Sequence, residues 1–339
     1  MHRSEITIDL GALRRNVRRL RAVLGDSELW AVVKADAYGH GAVDVAGSAL
    51  AEGATALCVA TVPEGLALRP EYPTARIVVM GPASGRETAW AREAALELTI
   101  GGGEIPEGLR VHLKLDTGMG RWGLSELPVP PAGVVGLMSH LASADCDAAF
   151  TEMQIERFHA ATADYTRLTR HIANSAGALR YPASRFDAAR CGIALYGLSP
   201  FGEDPARDGL EPVLRWDSHI AQVKLLRAGD GTGYGRRYVA ERETWIGIVP
   251  VGYADGFRRG LSGTEVRVDG EPRRVVGTVS MDAIAVELDG ELPVATPVAL
   301  VGGGLLLEEH ARVAGTINYE LACGINATPT RARRTVLDA

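Results

Sequence analysis

The chain has 339 residues, 46% hydrophobic and 23% charged, which excludes a disordered chain or a coiled coil and suits two ordinary domains or one large α/β barrel. The formal net charge of −6, with no block of five like charges, argues against nucleic acid or a membrane surface as the main partner. Cys58, Cys146, Cys191 and Cys323 stand far apart and form no CxxC pair, so neither a disulfide framework nor a zinc site is expected, and no metal is assigned.

The start, MHRSEITIDLGALRRNVRRL, lacks the apolar stretch of a secretory signal, and no run of about 18 apolar residues occurs, so a cytoplasmic protein is expected. Residues 11–24 set Leu13, Val17, Leu20 and Leu24 at i, i+4, i+7 and i+11, a helical stripe. Short β-rich runs predict strands at 29–33, 56–60, 76–80, 97–100, 111–115, 134–139, 169–173 and 187–190. Several lack period-2 polarity, as parallel strands covered on both faces do. Helical patterns lie between most of them, including 148–166 after ADCDAAF, whereas the Pro-rich 125–133 predicts no full helix after the fifth strand. Eight strands alternating with helices predict a closed (β/α)8 barrel over residues 1–209. From 210 to 339 the runs turn short and β-branched, punctuated by Gly, Asp and Pro, which predicts a mainly antiparallel β domain. Asp-Gly at 269–270 and 289–290 predicts two hairpins there.

The barrel reading directs attention to residues at the C-terminal ends of strands, where such barrels build their sites. The strand 29–33 delivers Lys34 directly into KADAYGHG, with Tyr38 and His40 close by and Gly39 and Gly41 permitting a tight turn. A lysine so placed is either solvated or, in a partly dry pocket, neutral enough to attack an aldehyde. On the fifth strand His112, Lys114 and Asp116 share one face, an odd polar stripe for a covered strand. Asn174-Ser175 opens a predicted helix, SAGALR, after the seventh strand, and Gly192-Ile193 follows the eighth, where barrels often bind phosphate on backbone amides. A plain helix cap is the other reading of Asn174.

Nine segments in order, AVVKADAYGHG (31–41), HLKLDTGMGRWG (112–123), SHLASAD (139–145), ANSAGALR (173–180), ARCGIALYGL (189–198), TGYGRRY (232–238), VPVGYADG (249–256), SMD (280–282) and INYE (317–320), resemble the alanine racemase family of fold-type III pyridoxal-phosphate (PLP) enzymes. The resemblance implies a barrel plus a β domain, PLP, a homodimer with active sites shared between subunits, and interconversion of L- and D-alanine that supplies D-alanine for peptidoglycan. By that resemblance Lys34 is the Schiff-base lysine and one of two acid/base groups, and Tyr234 is the other. Arg190, following the short eighth strand, matches the arginine at the pyridine nitrogen, and His140 links it to Tyr234. Tyr38 and Tyr319 bond the phosphate with Asn174, Ser175, Gly192 and Ile193. Arg121 steers the substrate carboxylate, and Lys114 matches a lysine often carbamylated beside that arginine. A salt bridge from Lys114 to Asp116 is the alternative. Met281, Asp282 and Tyr253, from the second subunit, wall a pocket for a methyl side chain. Two residues depart from the pattern: Ser280 stands where many members have Cys, and Trp122 where a smaller apolar residue is usual.

Three other functions compete. A barrel-plus-β decarboxylase of basic amino acids would need an acidic partner for the pyridine nitrogen, where this chain offers Arg190. A non-catalytic PLP carrier would lack the β domain and Tyr234. A serine or broad-specificity racemase differs only in pocket size.

Overall fold

The computed structural model describes residues 2–338, which form two compact units. One comprises Leu13–Phe201 and Ala206–Glu211; the other comprises the residues through Ala12, Gly202–Pro205 and the chain from Pro212 onward. Among the described residues no helix is long and apolar enough to cross a membrane. Strand β1 (Glu5–Asp9), which no pattern announced, belongs to the second unit and runs straight into the helix Leu10–Leu24. That helix buries Leu13, Val17, Leu20 and Leu24, the stripe read from the sequence.

The first unit is the predicted barrel. Its strands are β2 (Glu28–Val32), β3 (Ala56–Val59), β4 (Ile77–Val79), β5 (Glu97–Ile100), β6 (Val111–Lys114), β7 (Val134–Met138), β8 (Thr169–His171) and β9 (Ala188–Cys191). They pair in parallel in the order β8-β7-β6-β5-β4-β3-β2-β9. Two backbone bonds cross the remaining seam, Asp187 N to Arg170 O at 3.1 Å and Arg190 N to Ala173 O at 3.0 Å, so the barrel is nearly closed. No helix separates β6 from β7, as the prolines of 125–133 required. The helix expected over 148–166 ends at Thr162.

The second unit holds β10 (Leu214–His219), β11 (Gln222–Leu226), β12 (Gly231–Thr232), β13 (Tyr238–Val239), β14 (Thr244–Val249), β15 (Glu265–Val268), β16 (Glu271–Val276), β17 (Ile284–Leu288), β18 (Pro297–Val301) and β19 (Arg333–Leu337). Nine of its strands form one sheet, β11-β14-β17-β16-β15-β18-β10-β1-β19, antiparallel except for β1 against β19. Asp269 and Gly270, both at positive φ, turn β15 into β16, the hairpin expected of that pair. Asp289-Gly290 makes no hairpin: β17 pairs with β14 and β16, while β18 pairs with β10 and β15, so the connection crosses between non-neighbours. Helices Leu307–Ala314 and Asn318–Gly324, absent from the β reading, precede β19.

Barrel interiors are ordinarily filled by branched apolar side chains. Here Trp30, His112, His171 and Arg190 occupy the interior, each no more than 2% exposed. His112 Nε2 bonds to Glu97 Oε2 at 2.8 Å, and His112 Nδ1 to His171 Nε2 at 2.9 Å. Arg190 Nη1 lies 2.5 Å from His171 Nδ1. Burial, with the charge of Arg190 nearby, lowers both histidines below their usual range, so both are neutral in the fold. This sets a sign. The unfolded chain binds protons at these histidines below about pH 6.5 while the folded chain refuses them, so stability is full above that value and falls as pH falls. The slope is at most about 1.4 kcal/mol per pH unit for each histidine and ends where the folded ring itself takes up a proton. The urea midpoint of the barrel should therefore drop between pH 7 and pH 5.5; a flat or rising midpoint would show that the two rings are charged in the fold.

Candidate active site

All eight barrel strands point their C-terminal ends the same way, and the candidate residues of the first unit gather there. Lys34 follows β2 by two positions, Lys114 ends β6, His140 follows β7, Asn174 follows β8, and Arg190 lies inside β9 rather than beyond it. The backbone after Lys34 is unusual. Ala35, Asp36, Ala37 and Tyr38 all have φ between 50° and 56°, a left-handed turn built without glycine. Each such residue costs about 1–2 kcal/mol relative to the right-handed form. Clamps hold the turn. Ala35 N donates to Glu64 Oε1 at 2.8 Å, Ala42 N to Asp36 Oδ1 at 2.7 Å, and Gly41 N to Asp36 O at 2.9 Å. Glu64 also accepts from Ala60 N and Thr61 N, so one carboxylate fastens the lysine turn to the end of β3. Sequence reasoning missed Glu64; its capping-box spacing from Thr61 was the available signal.

Tyr38 reaches from this turn to the neighbouring strand end. A Cβ at Gly192 would stand 2.5 Å from Tyr38 Oη, so only glycine leaves the phenol its place. Ser175 Oγ accepts from Gly192 N at 3.1 Å and Ala194 N at 3.4 Å. Asn174 Oδ1 accepts from Gly177 N at 2.9 Å, so it does cap the helix Ser175–Arg180. Ile193 opens the 3-10 turn that follows. Tyr38, Asn174, Ser175, Gly192 and Ile193 are thus brought together at adjoining strand ends.

The charges at this end are nearly all positive. Lys114, 2% exposed, is lowered to about 8 by burial and by the charges of Arg121 and Arg190, with Lys34 adding to them. His140, partly exposed, is held well below its usual value by burial and by the same four cations. The salt bridge from Lys114 to Asp116 is not formed. Asp116 instead accepts from Gly118 N and Gly120 N, while Lys114 Nζ lies 5.0 Å from the centre of the Trp122 ring. Arg121 stacks on that same ring at 4.4 Å. Such a gathering of cations suits anionic groups. Arg190 gives Nη1 to His171 Nδ1 and His171 O, and Nη2 to Ser139 O, Ile172 O and His140 Nδ1. Its Nε is buried and has no partner among the described residues.

The second unit carries the other candidates. Tyr234 is not a packed strand aromatic. It sits in a 3-10 turn between Gly233 (φ 76°) and Gly235 (φ 72°), 72% exposed, its carbonyl held by Thr278 Oγ1 at 2.9 Å. Tyr253 N donates to Ser280 O and Ala254 N to Met281 O, which sets Tyr253 beside Met281; both side chains are exposed. Asp282 accepts from Arg331 Nη2 at 2.8 Å. Tyr319, on the helix Asn318–Gly324, is half-buried.

Residues 8–200 match the family described as alanine racemase, N-terminal domain, and residues 213–333 match alanine racemase, C-terminal domain. The alanine racemase of Halorhodospira halophila is 40% identical, with 98% of this chain and 97% of that protein covered. That of Lactiplantibacillus plantarum is 38% identical, with 95% of each covered. The crystal structure of alanine racemase from Streptomyces lavendulae superposes with a TM-score of 0.91 at 35% identity over 100% of this chain and 98% of that one. A Bacillus anthracis alanine racemase with bound L-Ala-P gives 0.86 at 33% identity, covering 100% and 96%. Matches across both domains set aside the carrier and decarboxylase readings, and the chain belongs to the alanine racemase family, whose members interconvert L- and D-alanine.

Proposed function

We propose that this racemase uses PLP and two bases, in a cytoplasmic homodimer whose sites draw on both subunits, to supply D-alanine for peptidoglycan. The carrying observation is Arg190. A buried N–H without an acceptor costs about 1–3 kcal/mol, and the pyridine nitrogen of PLP is an acceptor of the kind its Nε lacks. The rest of the donor set fits as well. Lys34 would anchor the aldehyde through Nζ. Tyr38, Asn174, Ser175, Tyr319 and the amides of Gly192 and Ile193 would hold the phosphate. PLP, when bound, withdraws electrons from the substrate Cα–H bond and makes that proton removable.

The chain's own groups move the proton. Racemisation removes it from one face of Cα and returns it on the other, so two groups on opposite faces suffice. Lys34 serves one face and Tyr234 the other. Arg190 cannot release a proton to the pyridine nitrogen and only donates a hydrogen bond, which restrains the electron withdrawal and disfavours side reactions at the cofactor. His140, neutral and bonded to Arg190, is the group that the resemblance assigns to carry that positive charge toward Tyr234. Arg121 binds the substrate carboxylate. Tyr253, Met281 and Asp282 wall a pocket that fits a methyl group. The exposure of Tyr234, Tyr253 and Met281 supports their burial against a second copy, since large apolar side chains clustered in water mark association surfaces.

Lys114 completes the cation cluster. With its amine lowered to about 8, much of it is neutral under mildly alkaline conditions. The neutral nitrogen attacks CO2, a N–C bond forms, and one proton leaves to solvent. The resulting carbamate carries a negative charge beside Arg121. Equilibration with 13C-bicarbonate should give one carbamate carbon signal that is absent from Lys114→Met; no signal would leave Lys114 unmodified, with the Trp122 ring and the charge of Asp116 as its counterweights.

Two experiments test the mechanism. Lys34→Ala should remove the visible absorbance of the purified protein and nearly all racemisation; a yellow, active variant would remove Lys34 from the site. Lys34→Ala and Tyr234→Phe should each be nearly inactive as homodimers. Refolded together with PLP, random pairing makes about half the dimers mixed, each with one intact site of two, so about a quarter of the parent activity should return. No recovery, with mixed dimers shown to form, would place both bases on one chain.

A further inference from the structure

The bonds through the barrel interior form a continuous path from one end of the barrel to the other. Arg76 immediately precedes β4, Arg110 immediately precedes β6, and Glu97 opens β5, so all three lie at the N-terminal ends of their strands. Glu97 accepts from Arg76 Nε at 2.9 Å, Arg110 Nε at 2.8 Å and His112 Nε2 at 2.8 Å. His112 reaches His171, and His171 reaches Arg190, toward the C-terminal ends.

The two ends of the path, a guanidinium that only donates and a carboxylate that only accepts, demand the same direction for every proton. Arginine has donors only, so His171 Nδ1 must offer its lone pair. The proton of neutral His171 is then on Nε2 and points at His112 Nδ1. That nitrogen is therefore also an acceptor, and the His112 proton is on Nε2, pointing at Glu97. The donors run Arg190 to His171 to His112 to Glu97 without a break. Burial pushes the Glu97 carboxyl up, but the His112 bond with Arg76 and Arg110 outweighs it and holds the group at about 2, so the last acceptor is a carboxylate.

Backbone geometry is shaped around this path. His112 on β6 meets His171 on β8 across the intervening β7, and the residue there is Gly136. A Cβ at 136 would lie 2.2 Å from His112 Nδ1, the atom that accepts from His171. Trp30 packs its ring 4.5 Å from that of His171, which restricts any ring flip.

We propose that Glu97 is a positioning residue for racemisation: by fixing the tautomers of His112 and His171 it presents an acceptor to Arg190 and holds the guanidinium in register with the cofactor ring. This rests on the assignment of Arg190 to the pyridine nitrogen. In Glu97→Gln the amide has both donor and acceptor, the two arginines compete for its oxygen, and its NH2 is left to face His112 Nε2. The relay then reverses, and His171 turns an N–H toward Arg190, which cannot accept it.

The test has two arms. In the first, 15N-histidine spectra of the proteins as purified report which ring nitrogen carries hydrogen. The parent should show Nε2–H at both rings, and Glu97→Gln should show Nδ1–H. Gly136→Ala, which leaves Glu97 and Arg190 in place, should break the His112–His171 bond. In the second, the same proteins are loaded with PLP. Both variants should lose roughly tenfold in kcat, the scale seen when a ligand's outer partner is removed, with KM for alanine changed less than twofold. Their visible band should become pH-dependent across the neutral range where the parent's is constant. Unchanged tautomers in Glu97→Gln would overturn the proposal. So would reversed tautomers with kcat and the visible band unchanged, the pattern of a purely structural network, as would loss of folding stability with both readouts intact. Failure of the parent to take up PLP would instead defeat the cofactor assignment, and the first arm would still decide whether Glu97 sets the tautomers.

Discussion

A guanidinium enclosed in a barrel is the constraint around which this structure is arranged. Arg190 is 2% exposed, and burial lowers even its affinity for protons, to about 10. Leaving such a cation unsolvated would cost many kcal/mol, so its water shell must be replaced group by group. Three strand-end carbonyls, Ser139, His171 and Ile172, supply part of it, and two imidazole nitrogens supply more, which leaves Nε without an acceptor among the described residues. Filling the interior with imidazoles in place of leucines then demands acceptors for the imidazoles. The demand passes along the barrel until a carboxylate at the rim, itself paired to two arginines, ends it. Gly136 and the packing of Trp30 are secondary consequences of the same burial.

The elements that sequence reasoning recovered are those written in local pattern. Eight β-rich runs, the prolines of 125–133 and the helical stripe of Leu13 to Leu24 carry their structure within a few residues of themselves. Lys34 was legible because an apolar strand leads directly to it. The polar face of His112 and Lys114 was visible as an anomaly, but its explanation was not. His112 is answered by Glu97, His171 and Gly136, residues 15, 59 and 24 positions away that only barrel closure brings together. Glu64 escaped for a similar reason: its local role as a helix cap conceals its bond to Ala35, 29 residues earlier. Likewise β1 went unannounced, because its partners, β10 and β19, lie more than 200 residues downstream.

The cations at the C-terminal strand ends have few carboxylates to answer them. Lys34, Lys114, Arg121 and Arg190 all act on His140, and Asp116 is occupied with backbone amides. A fold that assembles like charges stores repulsion, which an anionic ligand relieves when it binds. Anionic ligands therefore stabilise this unit beyond the contacts they make, and the gain rises with the logarithm of their concentration.

The turn that carries Lys34 has a chirality of its own. Ala35, Asp36, Ala37 and Tyr38 trace a left-handed path that penalises L-residues through their Cβ atoms and would not penalise their mirror images. Alanine, with the smallest side chain that still has a Cβ, occupies two of the four places. A chain assembled by chemical ligation with D-alanine at 35 and 37 would relax there and gain about 1–2 kcal/mol at each position. The segment that holds the lysine is thus better suited, in backbone terms, to the D-enantiomer of alanine than to the residues the ribosome supplies.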